Sequence, residues 1–275
     1  MSTRAAEPHP VEDIHGDGRW MSMHKHFLHD AKEKEPEVVL IGDSLIRNVV
    51  WSPIWKRMFE PLHCLNLGVG GDRTEHVLWR VLNGELDQIE PKVIVLMVGT
   101  NNHGDTAEQV TAGIMAIVKA ILDKQPSSYL IVMGLLPRGE HPNPLREKHT
   151  TVNQQLSNQL ANTPMTTFLH VDDQDFFLPG PKGGDPVTAA NGVIPRELMY
   201  DFLHLSMDEG YQKLCDPLLE EIQNCLGTFV KVESTSFDTG SMSEDAAVEK
   251  CELETCREIK FRPFADIEGP HQLLL

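Results

Sequence analysis

Val38-Val39-Leu40-Ile41-Gly42-Asp43-Ser44-Leu45 joins an unbroken apolar run directly to a turn. Such a run suits a strand covered on both faces, as in a parallel sheet. Gly42 and Asp43 then punctuate it, so Ser44 falls where the strand hands over to a helix. A helix N-terminus offers unpaired backbone N–H groups and the positive end of a dipole. A serine there can lose its proton to a nearby base while developing negative charge is stabilised. Gly-Asp-Ser equally suits an ordinary strand-to-helix turn with Asp or Ser as N-cap, so the tetrapeptide alone does not decide the chemistry.

Outward from this stretch, Leu62–Val69, Val93–Val98, Tyr129–Leu136 and Thr166–Val171 repeat the short, apolar, partly β-branched pattern. Helical patterns separate them. In Ala107–Lys124, residues Val110, Ile114, Ile117, Val118 and Ile121 form one stripe behind a Thr106…Gln109 capping box. Leu45 to Phe59 reads as a helix interrupted near Pro53, Pro144–Leu160 as another, and Met207–Leu226 as the last, with Ser206 and Glu209 as a capping box and Gly227 as its stop. Strands alternating with helical crossovers predict a three-layer α/β/α sandwich around a five-stranded parallel sheet. Ligands in such folds bind at the carboxyl ends of the strands, so partners of Ser44 are expected just beyond strand ends.

With 24 Lys+Arg against 41 Asp+Glu, the net charge of −17 argues against nucleic acid or an anionic membrane surface as main partner. No apolar run approaches the roughly 20 residues that span a bilayer, and residues 1–18 are polar without a signal core. The expectation is a cytoplasmic protein. Five cysteines without a Cys-x-x-Cys pair fit reduced thiols; Cys64, Cys215 and Cys225 read as small core residues, and Cys251 and Cys256 are assigned no chemistry. Residues 1–36 read as an N-terminal segment packing on the domain, 37–227 as the catalytic domain, and 228–275 as an acidic, disordered tail. Leu178–Arg196, rich in Gly, Pro and Ala, reads as a long surface loop, and Ile259–Phe264 reads as part of the solvated tail, with a short docking motif as the alternative.

The remaining signals sit at strand ends. The second strand ends in Gly68-Val69-Gly70-Gly71-Asp72, where glycine amides can approach a ligand; the spacing matches neither a Walker loop nor a dinucleotide fingerprint. The third ends in Gly99-Thr100-Asn101-Asn102-His103. Asparagine there can cap a loop, or its N–H₂ can join a backbone N–H in an oxyanion hole. Before the last helix, Asp201-Phe202-Leu203-His204 has the spacing for a carboxylate to fix an imidazole tautomer while the other ring nitrogen faces a serine. Each signal is weak alone; their order along the chain links them.

The blocks Gly42–Leu45, Gly70–Asp72, Gly99–Asn102 and Asp201–His204 resemble those of the SGNH, or GDSL, hydrolase superfamily, whose fold is flavodoxin-like. Stretches such as His76-Val77-Leu78-Trp79-Arg80 and Gly134-Leu135-Leu136-Pro137-Arg138-Gly139 are similar to the catalytic subunits of intracellular type I platelet-activating-factor acetylhydrolase, across Pro10 to Leu226. The resemblance implies Ser44 as nucleophile, His204 as base then acid, Asp201 as its orienter, and an oxyanion hole from the Ser44 and Gly71 amides and the Asn101 side chain. Leu45, Thr100 and Leu203 would close an acetyl-sized pocket, although Leu45 and Leu203 equally suit a core role. It also implies a short-acyl ester substrate such as a phospholipid, no cofactor or metal, and a homodimer or a heterodimer with a paralogous subunit. A WD-repeat β-propeller regulator is a further implied partner, in which case catalysis would be secondary to assembly; an SGNH esterase for another acetylated substrate is the other alternative. The segment Ile46-Arg47-Asn48-Val49-Val50 departs from the family sequence.

Other candidates read as structural. His24, His26 and His29 beside Asp30 match no zinc spacing and are expected on a surface helix. Trp20, Trp51, Trp55 and Trp79 read as packing or interface anchors.

Overall fold

The computed structural model describes residues 4–178 and 192–238, with side chains to residue 229. All five apolar runs form strands: β1 Val38–Gly42, β2 Cys64–Gly68, β3 Val93–Met97, β4 Tyr129–Met133 and β5 Thr166–Leu169. They pair in parallel in the order β2-β1-β3-β4-β5. In this flavodoxin-like order the chain first steps outward from β1 to β2 and then reverses to β3, which opens a crevice at the carboxyl end of β1. Ser44 follows β1 at that switch point.

Among the described residues six α-helices flank the sheet: α1 Arg19–Lys34, α2 Ser44–Asn48, α3 Thr74–Arg80, α4 Ala107–Lys124, α5 Pro144–Leu160 and α6 Glu209–Asp238. The period-two alternation of β1 divides the core. Val39 and Ile41 join Phe27, Val77, Ile114, Ile117, Val152 and Leu156 on one face, while Val38 and Leu40 join Ile46, Phe59, Tyr211, Leu218 and Ile222 on the other. The α4 stripe is buried throughout, and both bonds of its Thr106–Gln109 capping box form. The compact unit that holds the sheet reaches Ser234.

Several expectations shift for local reasons. The helix expected from Leu45 to Phe59 is three pieces: α2, a 3₁₀ turn Val49–Trp51 and a π-helical turn Trp55–Phe59. Ser52, ahead of Pro53, is extended with ψ 143°, as a residue before proline prefers. Strand β4 stops at Met133 because the Asn153 side chain replaces a strand partner, accepting from Leu135 N at 2.7 Å and donating to Leu135 O at 2.9 Å. Helix α6 runs through Gly227, since glycine inside a helix costs about 1 kcal/mol relative to alanine without forbidding it. At its start, Ser206 Oγ accepts from Gly210 N rather than from Glu209 N. Residues 179–191 of the expected loop, and the tail with Cys251, Cys256 and Ile259–Phe264, lie outside the described residues. The described ends of the loop are held by Leu178 N to Val193 O at 2.9 Å and Ile194 N to Glu140 O at 3.0 Å. Among the described residues no helix is long and apolar enough to cross a membrane.

Candidate active site

Ser44 opens α2, with Asp43 as N-cap accepting from Leu45 N at 2.9 Å. Close packing fixes this turn. A Cβ on Gly42 would lie 2.1 Å from Met97 O, and one on Gly68 would lie 2.3 Å from Arg47 N, so β1 meets β3, and β2 meets α2, backbone to backbone. From the other side, Tyr211 of α6 donates its hydroxyl to Leu45 O at 2.7 Å. Burial pushes the Asp43 carboxyl up to about 7, against the lowering effect of the Leu45 amide.

The Ser44 hydroxyl is 3.0 Å from His204 Nε2, and His204 Nδ1 is 2.7 Å from Asp201 Oδ2. Asp201 Oδ1 accepts from the amides of Leu203 at 3.1 Å and His204 at 2.7 Å. Partial burial pushes the Asp201 carboxyl up, but these bonds and the His204 ring outweigh it and leave the group below its ordinary value. The tight Asp-x-x-His turn requires Phe202 at φ 64°, a left-handed conformation unusual for an aromatic residue. Its carbonyl accepts from Gly139 N at 2.7 Å, and its ring lies under the Arg196 guanidinium at 4.4 Å. Tyr200 stacks on the His204 ring with centroids 5.9 Å apart.

Gly71 has φ 82°, a left-handed conformation that favours glycine, with open space where a side chain would project. Asn101 Nδ2 donates to Asp72 O at 3.0 Å, which ties the third block to the residue following Gly71. An amide N–H₂ carries two hydrogens, so this bond orients the group without exhausting it. Asn102 is committed elsewhere, accepting from Thr74 N and donating to Thr74 Oγ1, both at 3.0 Å.

The three expected pocket residues differ in environment. Leu45 is 2% exposed and belongs to the core on the α6 side, whereas Leu203 is only half-buried. Thr100 is buried, and Arg138 Nη1 donates to its carbonyl at 2.8 Å and its hydroxyl at 3.1 Å. Arg138 was not singled out from the sequence as a site residue. Burial lowers its pKa against the opposing fields of Asp43 and Asp201. Lys148 closes the neighbouring loop through the carbonyls of Asn102, His103 and Asp105 at 2.9, 3.2 and 3.1 Å. The spacing of Arg138 and Lys148 carries no local signal of these long-range bonds.

One histidine expectation is corrected. His24 is 3% exposed because it shares the inward stripe of α1 with Phe27 and Ala31; its Nδ1 lies 2.9 Å from Glu85 Oε1. His26 and His29 remain exposed. Among the tryptophans, Trp20 packs against Trp79 and donates to Asp72 Oδ1 at 2.8 Å, and Trp51 is 60% exposed.

The GDSL-like lipase/acylhydrolase family pattern matches residues 40–213, a span that holds Ser44, Leu45, Gly71, Thr100, Asn101, Asp201, Leu203 and His204. The cattle and human platelet-activating factor acetylhydrolase IB subunits alpha1 are each 52% identical to this chain over 214 residues, covering 78% of it and 87% of the relative. The rat alpha2 subunit is 50% identical over 225 residues, covering 82% and 93%. Among solved structures, a GDSL-like lipase from Bacteroides thetaiotaomicron superposes with a TM-score of 0.56 at 16% identity over 76% of this chain and 97% of its own. A likeness at that identity concerns the fold alone.

Proposed function

Because this chain belongs to the GDSL-like lipase/acylhydrolase family, we propose that it is a serine esterase that removes a short acyl group, the sn-2 acetyl of platelet-activating factor or of a related ester. The observation that carries this reading is the unbroken chain from Ser44 Oγ to His204 to Asp201 at 3.0 and 2.7 Å. His204 Nε2 takes the hydroxyl proton as Ser44 Oγ attacks the ester carbonyl carbon. Asp201 holds Nδ1 protonated and offsets the imidazolium charge. The tetrahedral oxyanion is met by the Ser44 and Gly71 amides and the second N–H of Asn101, a kind of donor worth about 3–4 kcal/mol of transition-state stabilisation. As the carbonyl reforms, the alcohol leaves with the proton from His204. Water, deprotonated by the same imidazole, then cleaves the acyl-enzyme and regenerates the serine.

Leu203, Thr100 and Leu45 bound the acyl site in this reading, within a catalytic domain spanning residues 37–227 of a cytoplasmic protein. The deciding comparison is hydrolysis of acetyl, butyryl and octanoyl esters of one chromogenic alcohol. A steep decline from acetyl to octanoyl supports a small pocket, and preference for octanoyl refutes it.

The relatives are named as subunits, which favours a second, compatible reading in which this chain pairs with a copy of itself or a paralogue. Light scattering after size exclusion tests pairing. Pull-down with a WD-repeat β-propeller tests the regulatory partner implied by the resemblance.

A further inference from the structure

Arg80, at the end of α3, is 0% exposed. Its guanidinium donates through Nε to Asp72 Oδ2 at 2.9 Å, through Nη2 to Gly42 O at 3.3 Å, and through Nη1 to Glu85 Oε2. Both carboxylates have a second partner on α1. Trp20 Nε1 donates to Asp72 Oδ1 at 2.8 Å, and His24 Nδ1 lies 2.9 Å from Glu85 Oε1. A kinked turn makes this possible: the helix end Val81–Glu85 breaks at Asn83 and at Gly84, whose φ is 106°, and brings Glu85 back under Arg80.

Two partners of Arg80 belong to the turns that build the site. Gly42 ends β1 and precedes Asp43-Ser44. Asp72 follows Gly71, and its carbonyl accepts from Asn101 Nδ2 at 3.0 Å. The backbone amides of Ser44 and Gly71 and the carboxamide of Asn101 therefore all hang from groups that one guanidinium holds. Burial pushes Asp72 up to about 6 against the pull of Arg80. A buried cation with two carboxylates is a poor source of stability, because desolvation of each ion offsets the attraction and apolar replacements are often at least as stable. A planar, rigid fork of donors is nevertheless well suited to fixing distances between separate chain segments.

We propose that Arg80 is a positioning residue of the oxyanion hole, setting the spacing of its three donors through Gly42 and Asp72. The proposal rests on the serine-esterase reading of Ser44. Lysine at position 80 retains the charge but loses the fork, so R80K separates geometry from charge.

The test uses the full chain, with hydrolysis of p-nitrophenyl acetate as the rate and circular dichroism as the check on folding. R80K is expected to lower kcat about 10–100-fold with KM within about twofold, the scale on which a 1 Å misplacement acts. In the N101A background the hole is already broken, and R80K should cost less than about threefold; a merely structural role would give the same loss in both backgrounds. A folded R80K with wild-type kcat, or full additivity with N101A, overturns the proposal. If R80K does not fold, W20F decides by the same two readouts, since it removes a hydrogen bond from Asp72 without touching the ion pair. Lowered kcat that is non-additive with N101A supports the proposal, and wild-type kcat or additivity overturns it. An inactive S44A beside an unimpaired R80K sinks this proposal alone, whereas a fully active S44A sinks the reading beneath it.

Discussion

His204 Nε2 stands 3.0 Å from Ser44 Oγ although 160 positions of sequence separate them. Strand β1 delivers the serine to the switch point of the sheet, and the turn ahead of α6 delivers the imidazole to the same edge. Tyr211 joins the two deliveries by hydrogen bonding from α6 to Leu45 O at 2.7 Å. The relationship thus arises from the packing of one helix on one strand end.

Asp201→Asn should lower kcat by roughly 10³–10⁴-fold with little loss of stability. Its side-chain N–H₂ would face Nδ1 and force the proton onto Nε2, where the ring could no longer accept from Ser44. Steady-state kinetics with a thermal melt checks both halves. A variant within tenfold of wild type would show that His204 needs no oriented carboxylate.

Asp43→Asn should alter the pH dependence of stability. The Asp43 carboxyl titrates near 7 in the fold because burial penalises its charge, against about 4 in an unfolded chain. A group raised in this way contributes stability that is complete below about 4 and is lost as pH rises through about 7. Asparagine keeps an oxygen for the Leu45 amide but has no charge to bury. The variant should therefore gain on wild type as pH climbs from about 4 to 7 and hold that gain above it. Urea midpoints of both proteins across this range measure the difference, and a pH-independent difference would contradict the argument.

Leu45→Ala and Leu203→Ala should part company. Truncating the buried Leu45 should cost about 2–5 kcal/mol of stability through a core cavity. Truncating the half-buried Leu203 should cost about 1 kcal/mol or less and raise the octanoyl-to-acetyl rate ratio by about tenfold or more. Equal stability losses, or an unchanged ratio in the Leu203 variant, would move Leu203 from the pocket to the core.

Incubation with EDTA should leave the esterase rate unchanged, because His204 activates both the serine and the water in the proposed cycle. A chelator-sensitive rate restored by a divalent cation would require a different mechanism.

Much of this architecture is local in origin and so was legible in the sequence. The unbroken run Val38–Ile41 announces a strand with two covered faces, and the Thr106…Gln109 pair fixes the start of α4 to the residue. The ordering of Ser44, Gly71 and Asn101 beyond the ends of β1, β2 and β3 follows from the parallel topology, because every strand delivers its carboxyl end to the same edge; His204 reaches that edge from the turn ahead of α6. The features without a local signal depend on long-range partners. His24 looked like a surface residue because Glu85, its partner, sits 61 positions away beyond a kinked turn. Arg80 and Arg138 gave no local signal, since a buried guanidinium is recognisable only once its carboxylates and carbonyls have gathered around it. The passage of α6 through Gly227 has a different origin: a helix-weakening residue raises a local cost that neighbouring turns can offset.

The central claim is that Ser44 is the nucleophile, and covalent labelling reads it most directly. Treated with a fluorophosphonate, the full chain should take up a single label on the peptide carrying Ser44, lose esterase activity in proportion to labelling, and take up none as S44A. A fully labelled chain that still hydrolyses short esters, or an S44A variant that keeps wild-type activity, would contradict the account.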